Sequence, residues 1–309
     1  MWSYVVRRCF WMVVTLFVVS VINFFVVFLV PANPVDAIAG DKATPQVIAQ
    51  IEKYYGLDKP SYVQYLDYMG HVLHGDLGHS YQTDLPVTEE IAQRAPATAL
   101  LAITAFVWTL LFGLTAGFFA GVKPGGRADL ILTTIALVFN ALPDFFLGVV
   151  LLYLVGFKLG ILPLGGYGPP PHIRNVILPA FTLAVIGAAT YQRLLRTQMA
   201  EVRQEDYVRT ARAKGLGAGR INVGHIARNA LLPVVTIGGL QLAGLLSGIV
   251  IIETVFAWPG LGQLFYQAAT NLDVPVVMGT AMLSAVLVIL ANFAVDMIYM
   301  LLDPRVTYS

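Results

Sequence analysis

The sequence predicts an all-α polytopic membrane protein with six transmembrane helices, a small helical cap outside and a helical loop on the cytoplasmic side. Three observations predict it. Of 309 residues, 57% are hydrophobic and 12% charged, about half the charged fraction of an ordinary soluble domain. The apolar residues gather into six runs, each close to or beyond the roughly 20 residues that cross a bilayer. The basic residues are segregated along the chain. So few charges could not screen so much apolar surface from water, but lipid needs no screening. Helices follow because backbone groups in hydrocarbon must be satisfied internally, and the alternating pattern of a membrane β-barrel is absent.

The six runs are Cys9–Val30, Ala97–Val122, Leu130–Phe157, Asn175–Gln192, Ala230–Ile252 and Val274–Leu302. The first follows Arg7 and Arg8 and precedes Ala37-Ile38-Ala39, an arrangement that resembles a signal peptide. Its 22 residues exceed the roughly 7–15 of a signal core, so it reads as an uncleaved first helix. The only cysteine, Cys9, lies in this run, which rules out an intrachain disulfide. Reactive thiols need an exposed, electropositive setting, so Cys9 reads as packing.

Orientation follows from the positive charges. With the N-terminus inside, 13 of the 19 Lys and Arg face the cytoplasm, eight of them between Arg193 and Arg228. Six spans return the C-terminus to the same side. The net charge of +1 carries no information about a partner, because the charges are segregated.

Residues 31–96 form the large outer segment, with nine acids, four bases and a tyrosine cluster (Tyr54, Tyr55, Tyr62, Tyr65, Tyr68). Gln46–Tyr55 and Tyr62–Leu73 have helical spacing, with Gly56 and Pro60 between them. This segment is too short for an independent domain, so the chain reads as one transmembrane domain over 1–309. His71, His74 and His79 fall here. His71 and His74 share a helical face, but no cysteine joins them and His79 follows the turn Gly75-Asp76-Leu77-Gly78, so no metal site is assigned. The outer loop 157–174 has turn chemistry, Gly165-Gly166-Tyr167-Gly168 and Pro169-Pro170-Pro171, without the strand or lysine of a phosphate loop.

The loop 193–229 carries the functional information. Glu201, Glu205 and Asp206 come early and Arg209, Arg212 and Lys214 late, which suits a helix dipole from Glu201 to Lys214. Gly215, Gly217 and Gly219 then break that helix, and a second one runs from Arg220 to Asn229. Small residues (Ala211, Ala213, Gly215) beside charged ones would let another protein's groove approach the backbone while the charges fix register. Composition alone allows a simpler reading, a basic anchor touching lipid headgroups.

The order of residues adds to this. Asp206-Tyr207-Val208-Arg209-Thr210-Ala211-Arg212-Ala213-Lys214-Gly215-Leu216, followed by Leu232-Pro233, resembles the coupling loop of ABC importer permeases of the dipeptide, oligopeptide and nickel branch. Arg209-Thr210-Ala211 stands where the wider family has Glu-Ala-Ala, and Gly215 where it has its glycine. Gly56-Leu57-Asp58, Gly75-Asp76-Leu77-Gly78, Glu253-Thr254-Val255-Phe256, Trp258-Pro259-Gly260-Leu261-Gly262, Asp273 with Pro275, and Asp296 with Leu302-Asp303-Pro304-Arg305 resemble further motifs of the branch's first permease, in order along the chain.

The resemblance implies a bacterial inner-membrane permease subunit with both termini cytoplasmic. It implies a second homologous permease, two cytoplasmic ATP-binding subunits that hold ATP and Mg, an extracytoplasmic substrate-binding protein, and no nucleic acid. No cofactor is expected in this chain. It has no Gly-x-x-x-x-Gly-Lys-Ser/Thr loop and no hydrolase signature, so it is not expected to be an enzyme. The cargo reads as di- or oligopeptides, with nickel or another small solute as the same-branch alternative and an ion-coupled secondary transporter as the alternative from another class. The last would need inverted repeats and broken helices. Intramembrane acids are functional candidates because burying them in hydrocarbon is costly. Asp144, after Pro143 in the third run, either faces the pathway and attracts a peptide's amino group or pairs with a neighbouring helix. Glu253 and Asp296 lie near span ends and read as interface anchors or as helix-pairing residues.

Overall fold

A computed structural model describes residues 2–29, 44–55, 58–170 and 173–302. Residues 30–43 of the outer segment, Gly56-Leu57, Pro171 and the Asp303-Pro304-Arg305 ending lie outside the described residues. The described residues form helices and no strand; an isolated bridge pairs His79 with Pro86. In chain order the helices are α1 (Trp2–Leu29), α2 (Pro45–Tyr55), α3 (Ser61–Leu73), α4 (Val87–Val122), α5 (Arg127–Ala141) and α6 (Asp144–Leu151), the last continued by a π-helical stretch, Leu152–Lys158. Next come α7 (Ile173–Val202), α8 (Asp206–Ala213), and α9 (Ala218–Arg220) joined through π-helical Ile221–Ala227 to α10 (Arg228–Ala230). The chain ends with α11 (Leu232–Leu246), α12 (Val250–Val255), α13 (Leu261–Thr270) and α14 (Val274–Leu302).

Among the described residues, four helical stretches are long and apolar enough to cross a membrane, Val6–Val26, Val87–Val122, Ile173–Val202 and Val274–Met297. Two of the six expected runs are not single straight helices. The third run bends by 97° between α5 and α6, where Pro143 supplies no N–H to continue the ladder. Counting that bent pair as one gives a fifth crossing. The fifth run is broken as well: α11 ends at Leu246, and the chain leaves helical geometry before α12. Gly248 marks that break with φ +100, so close to another chain segment that a Cβ would lie 2.7 Å from Gly262 N.

The chain divides into two compact units. The first holds residues up to Thr98, Leu246–Val250 and Pro259–Phe293. Here Tyr65 meets Phe24 edge-on at 5.4 Å and accepts or donates a 2.8 Å bond with Ser20. Tyr68 is half-buried beside them with its hydroxyl shielded from water, which pushes its phenol up to about 12. The turn Gly75-Asp76-Leu77-Gly78 uses positive φ at both glycines (+82 and +83), and the Gly78 N–H donates to Asp76 Oδ1 at 2.8 Å. Beyond it Ser80 is buried and its hydroxyl donates to Asp273, whose other oxygen accepts from Tyr81 N–H at 3.0 Å. Two motifs almost 200 residues apart are thus one knot, seated on Val87, Leu264, Ala268 and Val276.

The second unit holds Ala99–Leu245, Ile251–Trp258 and the chain from Ala294. Gly113, Gly117 and Gly121 form a stripe on α4 against α7. A Cβ would come within 2.6 Å of Tyr191 Cβ, 2.9 Å of Gln192 O and 2.8 Å of Met199 Sδ respectively. Small residues at a four-residue period let two helix backbones approach without a strong aqueous driving force. In the same unit Gly166 N–H donates to Phe256 O at 2.8 Å, and Tyr167 packs edge-on against buried Trp258 at 4.9 Å.

Candidate functional site

The stretch Asp206–Leu216 folds as α8 and its C-terminal cap. The helix is shorter than the dipole argument predicts. Glu201 belongs to the end of α7, and Arg203-Gln204-Glu205 turn the chain before α8 begins at Asp206. Asp206 still occupies the first turn and Arg212 the last, the favourable charge order. The end is a Schellman cap: Gly215, at φ +77, donates to Arg212 O at 2.9 Å, and Leu216 N–H to Ala211 O at 3.3 Å. The second helix of the loop, expected over Arg220–Asn229, appears as Ala218–Ala230 with its π-helical middle.

Burial divides the candidate residues. Val208 and Ala211, three apart, are buried in a cluster with Leu195 and Met199 of α7 and Ile221, Ile226, Ala227 and Ala230 of the return helix, and Leu216 packs against it. Asp206, Tyr207, Arg209, Thr210, Arg212, Ala213, Lys214 and Gly215 are exposed. The hairpin therefore turns one edge into its own unit and the rest outward. Its outward charges are barely paired. Arg209 reaches Asp206 at 3.4 Å, with side chains 71% and 94% exposed, a geometry worth little in water. Across the hairpin, Asn229 Nδ2 donates to Tyr207 OH at 3.1 Å and to His225 O at 2.7 Å.

One polar tie holds this hairpin and a second braces the helix that leads into it, and sequence reasoning missed both. Arg203, just past α7, donates through Nη2 to Gly121 O at 2.7 Å and to Asn222 Oδ1 at 3.3 Å. It ties the carbonyl end of α4, where helix dipoles favour a cation, to the return helix. Burial, and then the charge of Arg212, lower its pKa. The second is a bidentate pair: Arg196 Nε and Nη2 donate to Asp129 Oδ1 and Oδ2 at 2.9 and 2.8 Å. Asp129 is 4% exposed and also accepts from Gly125 N–H and the Thr133 hydroxyl. The sequence signal was available: Asp129 sits next to a span, where a lone acid needs a partner, and Arg196 stands in the basic loop.

Asp144 opens α6 at the 97° bend, exposed and with no protein partner among the described residues. Glu253 is fully buried, and Trp258 N–H donates to its backbone oxygen at 2.7 Å. His74 holds Gly70 O at 2.8 Å, and among the described residues no three His, Cys, Asp or Glu side chains gather as metal ligands.

Known proteins resemble this arrangement over its whole length. A family profile described as the binding-protein-dependent transport system inner membrane component matches residues 113–308, and its N-terminal companion matches residues 1–102. The chain is 39% identical to the di/tripeptide transport system permease protein DppB of Pseudomonas aeruginosa, across all of both chains. It is equally 39% identical, again end to end, to the glutathione transport system permease protein GsiC of Escherichia coli K12. Among solved structures, an inward-facing MetNI methionine ABC transporter matches 69% of this chain and 96% of its own, at 22% identity and TM-score 0.58. An amino acid ABC transporter matches 71% and 95%, at 14% identity and TM-score 0.51. Both share the fold.

Proposed function

The chain belongs to the family of binding-protein-dependent transport system inner membrane components, and from that premise we propose that it is the permease subunit of an ATP-driven importer of di- and oligopeptides. The observation that carries this reading is end-to-end 39% identity to permeases named for di/tripeptide and for glutathione transport. In this reading the chain pairs with a second homologous permease, and an extracytoplasmic binding protein delivers the peptide. Two cytoplasmic subunits hold ATP and Mg and do the hydrolysis; this chain makes and breaks no substrate bond. Six crossings place both termini inside, with the bent α5–α6 pair as one and the short apolar helix of α11 within another. Residues 31–96 then lie outside and 193–229 inside.

The outward face of α8 is the contact for the ATPase. A coupling element needs one side fixed to the moving body and another free for the motor. The buried Val208–Ala211 edge and the exposed Tyr207, Arg209, Thr210 and Lys214 fit that requirement. Asp144, exposed at the bend, is the pathway candidate for a peptide's amino group.

The test is purification of the chain with its native partners, followed by reconstitution. A second permease, two ATP-binding subunits and uptake of labelled tripeptide driven by ATP are expected. Nucleotide-driven uptake of nickel in place of peptide would move the cargo to the same-branch alternative. Transport without nucleotide would overturn the proposal.

A further inference from the structure

Within the first unit a cleft of about 250 Å³ lies between the first turns of α4 and one face of α13. Glu90 and Arg94 stand on one wall and Gln267 and Asn271 on the other, while Leu264, Ala268 and Val276 of the buried cluster close the base. Two contacts tie the walls together: the Ser80 hydroxyl donates to Asp273, and Gln82 Nε2 donates to Asn271 O at 3.2 Å. Each wall stops where apolar sequence begins, at Ala97 on α4 and at Val274 after Asp273. The cleft therefore sits at the polar ends of two membrane-length helices.

The acids of this cleft are in use, and its cation is not. Both oxygens of Asp273 accept from the Ser80–Tyr81 turn, and Glu90 Oε1 accepts from the Thr83 hydroxyl. Arg94 is the one cation among the lining residues. It is half-buried, with no hydrogen-bond or ion-pair partner among the described residues. A guanidinium offers five donors in a fixed fork, which fits two carboxylate oxygens at once. Facing it, the side-chain amides of Gln267 and Asn271 are exposed, one helical turn apart, and likewise unbonded among the described residues. Each amide both donates and accepts, as a peptide group does.

We propose that the cleft receives an Asp or Glu side chain of the extracytoplasmic binding protein, with Arg94 taking the carboxylate and Gln267 and Asn271 the peptide groups beside it. This rests on the importer reading above, which places residues 31–96 outside, and adds the place on this chain that sets the binding protein's register. The segment's own charge favours a specific contact. Residues 31–96 carry nine acids against four bases, so a partner's acid is repelled along most of the segment and accepted where Arg94 stands free. Like charges brought together are what reject wrong registers. Size favours the same occupant. A cleft of about 250 Å³ is smaller than the roughly 300–1,000 Å³ of pockets that enclose a small molecule, and suits one side chain with its backbone. A cargo carboxylate and a lipid phosphate offer a similar anion, so the test separates them from the binding protein.

The experiment uses the complete transporter in liposomes and its own binding protein, loaded with labelled tripeptide. Uptake is measured against binding-protein concentration, at equal assembled complex for each variant. Arg94→Gln should raise the half-saturating concentration about tenfold, the scale of losing bonds from a charged donor. Arg94→Lys, which keeps the charge without the fork, should fall between Arg94→Gln and the parent. Lys59 belongs to the same segment but pairs with Asp67 and does not line the cleft, so Lys59→Gln should change the value by less than about twofold. The acids of the binding protein are then changed to amides one at a time. One of them should weaken the parent about as much as Arg94→Gln does and add little to that variant, the non-additivity of two groups in contact. An unchanged half-saturating concentration in Arg94→Gln, a fall in maximal rate alone, or the lack of any coupled acid overturns the proposal. An Arg94 effect seen with an acidic tripeptide and not with a neutral one assigns the cleft to cargo and overturns it. One that vanishes in liposomes without anionic lipid assigns the cleft to headgroups and overturns it too. If no concentration of binding protein stimulates uptake by the unaltered transporter, the importer reading itself fails and the docking site falls with it.

Discussion

The knot around Asp273 and the hairpin around Arg209 are both short polar structures, and they use their charges in opposite ways. Asp273 is 3% exposed, and both of its oxygens are taken by donors of the Ser80–Tyr81 turn. The Ser80 hydroxyl in turn accepts from Gln82 and Thr83 N–H at 3.2 and 3.1 Å. On α8, by contrast, Arg209 and Lys214 are held by nothing that would survive in salt, while apolar Val208 and Ala211 hold the helix. A charge turned inward and saturated fixes shape, whereas a charge held out and left weakly paired is available to a partner.

The largest effect expected from this contrast is at the knot. Asp273→Ala removes the acceptor of a buried hydroxyl and a backbone N–H at once. Bonds to a charged acceptor contribute roughly 1.5–3 kcal/mol each, so a loss of about 3 kcal/mol is expected. It should appear as a lower unfolding midpoint of the purified complex and faster proteolysis in the outer segment. Asp273→Asn, which keeps one acceptor, should lose less. An Asp273→Ala protein as stable as the parent would break the contrast at its inward side.

A smaller effect is expected at the hairpin cap. Gly215 sits at φ +77 with open space where a Cβ would go, so only backbone conformation opposes a side chain there. Left-handed geometry costs an L-residue about 1–2 kcal/mol. Gly215→Ala should lose about 1 kcal/mol, read by protease cleavage within 204–217, and Gly215→Asn should recover part of it. Equal cleavage in all three proteins would mean that the Schellman cap does not hold the hairpin.

These regions also differ in how far they could be read in advance. The helical class, the membrane-length runs and the position of the α8 cap were legible, because apolar run length and glycine chemistry are local. The candidate stretch Asp206–Leu216 was legible as a short capped helix. Its division into a buried Val208–Ala211 edge and an exposed remainder is helical periodicity, yet which edge turns inward depends on α7 and the return helix. The size of the bend at Pro143 and the break at Gly248 were not legible, because the runs around them stay largely apolar. Arg203 and the Asp129–Arg196 pair were missed for another reason. A basic residue in a basic loop looks like orientation signal, and only the fold shows that Gly121 O and Asp129 lie within its reach. The Asp273–Ser80 knot joins two residues 193 positions apart, a pairing that no local pattern encodes.

The smallest effect on folding is expected where the hairpin faces outward, and it is the sharpest test of the contrast. The Arg209–Asp206 pair is fully solvated at 3.4 Å, and exposed pairs of this kind contribute between nothing and about 1 kcal/mol. Arg209→Ala also favours the helix, since alanine has the higher propensity. The unfolding midpoint of the complex should therefore move by no more than about 0.5 kcal/mol equivalent, the usual range for surface changes. Transport-coupled ATP hydrolysis should fall several-fold in the same protein, and more at high than at low salt, because any remaining attraction between hairpin and ATPase is screened. Arg209→Lys keeps the charge but loses the planar fork, and should lie between the two. A stability loss as large as that at Asp273, with hydrolysis and transport intact in the folded fraction, would show that Arg209 is structural and that the outward face of α8 is not an address for another protein.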